Sequence, residues 1–325
     1  MTLSLKNIVD KFLSSKKTIF FAVKALIAIL VIIVLIKKIS LQDISAAIEQ
    51  ARLRYVAIAF ALLGLNLFFQ FKKWQYMVRL EKPTATAKEI FLSLLTAYPL
   101  GFITPGRIGE FGKAFFIKQA NWPGLLGLAL IEKIFSLSMI YFAGILSLTY
   151  FIKLRMNELV YGPVLITGIV MILVIAFLLM RPDLMSAVLR LFTTSVKQRK
   201  KLYQLFLGLE KFSRDKAPGL LFLVVCHFLT YMSQFCLLAK AFAPISFPKA
   251  FVAVSAIMFV KTLLPISLGD LGVRESAAIF FFSVFDYPAS AAFNASLLLF
   301  LINLFLPSMA GLLFILKRRL TNHSN

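Results

Sequence analysis

Pro105-Gly106-Arg107-Ile108-Gly109-Glu110-Phe111-Gly112 interrupts an apolar stretch that runs from Ile90 to Phe116. A second stretch, Pro265-Ile266-Ser267-Leu268-Gly269-Asp270-Leu271-Gly272, has the same spacing: Pro, three residues, Gly, an acid, a large apolar residue, Gly. Each is followed within two residues by a base, Lys113 in the first and Arg274 in the second. Helix breakers and charges are expensive in hydrocarbon, where one charge costs roughly 3 kcal/mol on insertion scales. Non-helical backbone at membrane depth survives only when buried in protein or lining a wet cavity. Residues 89–118 and about 250–285 are therefore expected to be broken re-entrant helical hairpins, each entering and leaving on one side.

The surrounding chain is that of a membrane protein. Of 325 residues, 60% are hydrophobic and 15% charged, and the mean hydropathy is +0.87. Such composition excludes a soluble domain of this length. Apolar segments at about 18–36, 55–71, 124–152, 163–180, 218–240 and 289–316 predict six full transmembrane helices. The expected fold is thus an all-α polytopic membrane protein, a single integral membrane domain over residues 1–325. A cleaved signal peptide is not expected, because Lys37-Lys38 follows the first apolar run where small residues would be needed.

Thirty-six Lys and Arg against 14 Asp and Glu give a net charge of +22. In a soluble protein this would point to nucleic acid; here the bases sit mostly between apolar segments, so no nucleic-acid partner is expected. Lys and Arg are retained on the cytoplasmic side, and basic surface residues also attract anionic lipid. With the N-terminus inside and both interrupted stretches re-entrant, inside regions hold 21 bases and outside regions 8. Full crossing by both stretches would instead place the nine bases of 181–217 outside. The charge count favours N- and C-termini in the cytoplasm, with 181–217 as a basic cytoplasmic loop. It joins pseudo-repeat halves at about 55–152 and 218–316, and the two halves become inverted repeats, an arrangement that places substrate sites near the midplane. Connector positions Asn121 and Tyr287 then fall on opposite sides.

The embedded charges are the candidate site. Arg107, Glu110 and Lys113 are spaced i,i+3, and Asp270 and Arg274 i,i+4, so each set can pair on a helix; Glu275 follows. These groups can hold the broken helices together as salt bridges. They can equally hold a phosphate or other anionic headgroup, a task suited to the planar donor fork of Arg. Lys261, four residues before Pro265, would aim at the same site. Glu132 and Lys133 read either as a paired interfacial charge or as a further cavity wall. Asn303 and Pro307 read as packing and kink residues, and Lys72-Lys73-Trp74 as an interface anchor. Cys226 and Cys236 are ten residues apart, about 15 Å along one helix, too far for a disulfide. His227 and His323 assemble no metal site, no nucleotide-binding fingerprint is present, and no cofactor is expected.

At Pro105 to Glu110, at Glu132-Lys133 and from Pro265 to the ending Gly272-Val273-Arg274-Glu275, the chain resembles the flippase-like membrane domain of the lysylphosphatidylglycerol synthase family. Asp270 departs from the pattern, where Gly is more common. The resemblance implies a lipid translocase that moves an anionic or aminoacylated phospholipid, or a lipid-linked headgroup, between leaflets of a bacterial or archaeal plasma membrane. In the full-length synthases a soluble aminoacyl-transferase domain follows, and none lies within these 325 residues, so enzyme activity is not expected of them. A membrane-embedded transferase using Glu110 or Asp270 as general base and a secondary transporter of a small solute remain alternatives. A homo-oligomer is compatible with the sequence.

Overall fold

The computed structural model describes residues 41–155, 162–163, 165–171, 208–264 and 270–323. Segment one, most of segment four beyond Met171, most of the 181–217 loop and Pro265–Gly269 lie outside the described residues. Those that are described form helices and turns, with no strand among them. The helices are α1 (Leu41–Glu49), α2 (Leu53–Glu81), α3 (Ala87–Phe102), α4 (Trp122–Arg155), α5 (Ala217–Phe242), α6 (Phe247–Leu263), α7 (Val273–Ser283), α8 (Ala289–Phe300) and α9 (Leu306–His323). A 3-10 segment, Pro105–Phe116, follows α3, and one π-helical turn, Leu301–Phe305, joins α8 to α9. Four helical stretches among the described residues are long and apolar enough to cross a membrane: Leu53–Glu81, Trp122–Leu154, Arg214–Phe242 and Ala289–Ile315. They coincide with segments two, three, five and six. This is the architecture of a membrane protein.

Both interrupted stretches fold back on themselves. Thr86 caps α3 by accepting a hydrogen bond from Glu89 N–H at 3.2 Å, the usual rescue of an orphan helix donor. Glu89 in turn accepts from Lys118 N–H at 2.6 Å. The beginning of the stretch is thereby tied to its end. Between them α3 stops at Phe102, and Gly106 and Arg107 adopt left-handed φ values of 61° and 58°. The 3-10 segment returns so closely along α3 that a side chain at Gly109 would collide with the Leu100 carbonyl. In the second stretch α6 packs against α7, and Lys249 near its start lies 5.8 Å from the Phe285 ring near its end.

The halves interlock by exchange. Helix α2 packs on α5 and runs antiparallel to it: Arg52 N–H meets the Ala241 carbonyl at 2.8 Å, while Tyr76 O–H meets the Lys216 carbonyl at 3.1 Å. Helix α3, of the first hairpin, packs on α9 of the other half, and α6, of the second hairpin, packs on α4. Close approach at both exchanged crossings uses a glycine. Gly144 of α4 faces the Phe259 ring and Gly311 of α9 faces the Leu95 carbonyl, with no room for a Cβ at either. Small residues let membrane helices approach in this way, since lipid offers no hydrophobic drive between them. Each half also has its own apolar core, and each core borrows from the other half, Phe151 into one and Leu220 and Val224 into the other.

Candidate functional site: a charged cavity between the halves

A cavity of about 920 Å³ is lined by residues of both interrupted stretches together with α2, α4, α5 and the π-helical turn. Eight of the nine charged residues singled out from the sequence line it: Arg107, Glu110, Lys113, Glu132, Lys133, Lys261, Asp270 and Arg274. The ninth, Glu275, is 0% exposed and lies behind Arg274. Its carboxylate accepts from Arg274 Nη2 at 2.6 Å, from Ser296 O–H at 2.9 Å and from Gly272 N–H at 2.7 Å. Glu275 therefore caps α7 and fixes Arg274, which also donates to Ser296 at 2.8 Å and lies 5.6 Å from the Phe300 ring. Its place is that of a positioning residue rather than a headgroup contact.

The ion pairs differ from those that helical spacing predicts. Glu110 accepts from Arg107, as expected, but also from Lys133 of α4 at 3.0 Å. Lys113 turns away from Glu110 to Glu132, at 2.7 Å, and its ammonium sits 4.2 Å from the Trp74 ring centre. Asp270 pairs with Lys261 at 2.8 Å, not with Arg274. For Asp270 the physical reason is local backbone. Asp270 precedes the first residue of α7 and has φ of 63°, so the i,i+4 geometry of a helix does not reach it. In the first motif Glu110 is taken by Arg107 and Lys133, while Lys113 finds Glu132 on the packed α4. A non-glycine residue held left-handed costs roughly 1–2 kcal/mol, and Arg107 and Asp270, one on each hairpin, both carry that strain at the cavity wall. Such strain concentrates at functional sites.

The structure adds residues that the sequence did not single out. Lys73 is 3% exposed and lines the cavity rather than anchoring at an interface. Its ammonium lies 3.9 Å from Glu132, donates to Ser136 at 3.2 Å, and meets His227 Nδ1 at 3.2 Å. An ammonium can only donate, so His227 Nδ1 accepts and its Nε2–H donates to Asn66 Oδ1 at 3.2 Å. Trp74, also read as an interface residue, is fully buried and donates to Ser93 at 2.8 Å. Asn66 continues to Gln234 Oε1 at 3.0 Å, and Asn303 Nδ2 reaches the same oxygen at 3.1 Å. Asn303 is thus a cavity residue presented by the π-helical turn, not only a packing residue. One signal could have found Lys73. Of two adjacent lysines on a helix, only one can share the face of Asn66 and Gln70, at i−7 and i−3.

Charge at the cavity is unbalanced. Among the described residues six bases, Lys73, Arg107, Lys113, Lys133, Lys261 and Arg274, face three acids. Every one of those acids already has a base within 3.0 Å. The wall therefore carries more positive than negative charge. No group of three or more His, Cys, Asp or Glu side chains able to hold a metal occurs among the described residues. Cys226 and Cys236 are both free, on α5.

Comparison with known proteins agrees with this architecture. The family model described as the lysylphosphatidylglycerol synthase TM region matches residues 21–311. A UPF0104 membrane protein of Methanocaldococcus jannaschii is 21% identical over 320 residues, covering 91% of this chain and 94% of that protein. No solved structure matches.

Proposed function

On the premise that the chain belongs to the lysylphosphatidylglycerol synthase transmembrane family, we propose that it is a lipid translocase: a phospholipid or lipid-linked headgroup enters the cavity and passes between leaflets. The observation that carries this reading is the positively unbalanced cavity of about 920 Å³, walled by both interrupted hairpins. Ligand sites of this size that gather convergent polar groups between helices are the usual binding sites of bundles. In this reading the hairpins are re-entrant, one from each membrane face, and the halves are inverted repeats. The antiparallel run of α2 and α5 supports re-entry of the first hairpin, because with segments three and four each crossing once, a complete crossing by the first stretch would make those helices parallel.

Arg107 is the contact we assign first to the headgroup. It stands at the tip of the first hairpin, and its Nε has no partner among the described residues. Arg274 is the counterpart on the second hairpin. With no nucleotide-binding motif in the chain, movement is facilitated or ion-coupled, and no covalent step is assigned to the protein. The test is leaflet transfer of acyl-labelled lipid in sealed proteoliposomes, wild type against Arg107→Ala. Transfer by the wild type and a loss of at least about tenfold in the variant is the expected result. Equal transfer by both would overturn the site assignment. Chemical conversion of a lipid phosphate in detergent, where there are no leaflets, would instead favour a membrane-embedded transferase.

A further inference from the structure

Not every headgroup fits this cavity. The three acids on its wall are each held by Lys or Arg, and Glu275 behind them is held by Arg274. Each of those carboxylates already faces a base, and Glu110 and Glu132 each face two. An aminoacylated lipid carries an ammonium group, and here it would meet a wall with six bases against three acids. Like-charge juxtaposition at a desolvated site is unfavourable. An anionic phosphodiester meets the opposite situation, with donors on both hairpins.

A second feature specifies what the anion must carry. Asn303 is 8% exposed and lines the cavity, and its Oδ1 has no partner among the described residues. The orientation of its amide follows from its neighbours. Gln234 Nε2 donates to the Ala59 carbonyl at 2.9 Å, which leaves Gln234 Oε1 facing Asn303. Asn66 Nδ2 also donates to that oxygen, and of the two ends of the Asn303 amide only the NH2 can face an acceptor, so the carbonyl Oδ1 is the atom left over. A buried acceptor without a donor is destabilising, and a ligand that supplies one relieves it. Arg107 Nε is the complementary case, a buried donor without an acceptor.

Resting on the translocase reading for its lipid source, we infer that the cavity selects an anionic phosphodiester lipid whose headgroup bears a hydroxyl donor, and rejects the aminoacylated form of the same lipid. The phosphate addresses Arg107 and the hydroxyl addresses Asn303 Oδ1. The cavity in this chain thus takes the unmodified anionic lipid rather than the cationic product that the family name describes.

Binding can be measured apart from transport. Purified full-length protein in detergent is titrated with acyl-chain-labelled phosphatidylglycerol, phosphatidylethanol or lysyl-phosphatidylglycerol, read by fluorescence anisotropy. Phosphatidylglycerol is expected to bind at least about tenfold more tightly than the lysylated lipid. It should also exceed phosphatidylethanol, equal in charge but lacking the hydroxyls, by about fivefold, the worth of one hydrogen bond. Asn303→Leu should erase the second difference and leave the first. Equal or tighter binding of the lysylated lipid by the wild type overturns the inference, as does equal binding of phosphatidylethanol. Displacement of the labelled lipid by millimolar glycerol phosphate would reassign the same chemistry to a soluble solute and overturn the lipid source. Selective binding without leaflet transfer would leave this inference standing and overturn only the translocase reading.

Discussion

Asn66 Nδ2 donates to Gln234 Oε1 at 3.0 Å, joining α2 to α5 at a buried crossing between the two halves. The register of that crossing runs backwards along one helix as it runs forwards along the other: Arg52 with Ala241, Asn66 with Gln234, Lys73 with His227, Tyr76 with Lys216. Two helices in that relation run antiparallel, so the connectors that follow them, before α3 and before α6, lie at opposite ends of the pair, as the proposed inverted topology requires.

Thiol labelling checks this. Tyr287, a natural choice from sequence, is 6% exposed, and its hydroxyl donates to the Ala239 carbonyl; a probe there would disturb the fold. Lys118 and Ser283 are exposed at the ends of the first and second hairpins. In a background lacking Cys226 and Cys236, Lys118→Cys and Ser283→Cys should react with an impermeant reagent from opposite faces of sealed vesicles. Reaction of both from one face would refute the inversion.

Lys113 and Glu132 tie the 3-10 segment to α4 at 2.7 Å, with side chains only 10% and 11% exposed. Removing one partner strands a buried charge, which typically costs about 3–5 kcal/mol, whereas replacing both by apolar groups is often near neutral. Glu132→Leu strands both Lys113 and Lys73 and is expected to lower the melting temperature in detergent sharply, and Lys113→Met with Glu132→Leu to recover part of it, since Lys73 still lacks its carboxylate. A single variant as stable as the wild type would show that the pair is not coupled as described.

Lys72 and Lys73 are adjacent but not equivalent. Lys73 meets Glu132, Ser136 and His227, while the Lys72 ammonium lies 5.5 Å from the Phe68 ring outside the cavity. Leaflet transfer should fall at least about tenfold in Lys73→Met and stay within twofold in Lys72→Met, as for a surface substitution. Equal effects would remove Lys73 from the site.

Gly311 has the Leu95 carbonyl where its Cβ would be, while Gly64 has nothing within 4 Å. Gly311→Leu must separate α9 from α3, and overpacking of this kind costs typically 1–3 kcal/mol. Gly64→Ala sits on an open helix face and should stabilise by up to about 1 kcal/mol. Thermal melting of the two variants reads both signs.

Much of this protein was legible in its sequence for one reason: hydrocarbon penalises charge and broken backbone. Hydropathy alone therefore located segments two, three, five and six, and the cost of Arg107, Glu110, Lys113, Glu132, Lys133, Lys261, Asp270 and Arg274 marked them for the cavity they line. Sequence spacing could not assign their partners, because helical offsets presuppose helical backbone. Packing against α4 gave Lys113 to Glu132, and the left-handed turn at Asp270 left it with Lys261 instead of Arg274. Nor could it find Lys73, His227, Asn66, Gln234 and Asn303 as one set, since they come from three separate elements. Residues far apart in the chain meet only through packing. The sequence determined that costly charges are kept inside an apolar chain. The antiparallel closure of its two halves decided which of those charges pair, which one retreats behind the wall, and which polar atoms remain free for a ligand.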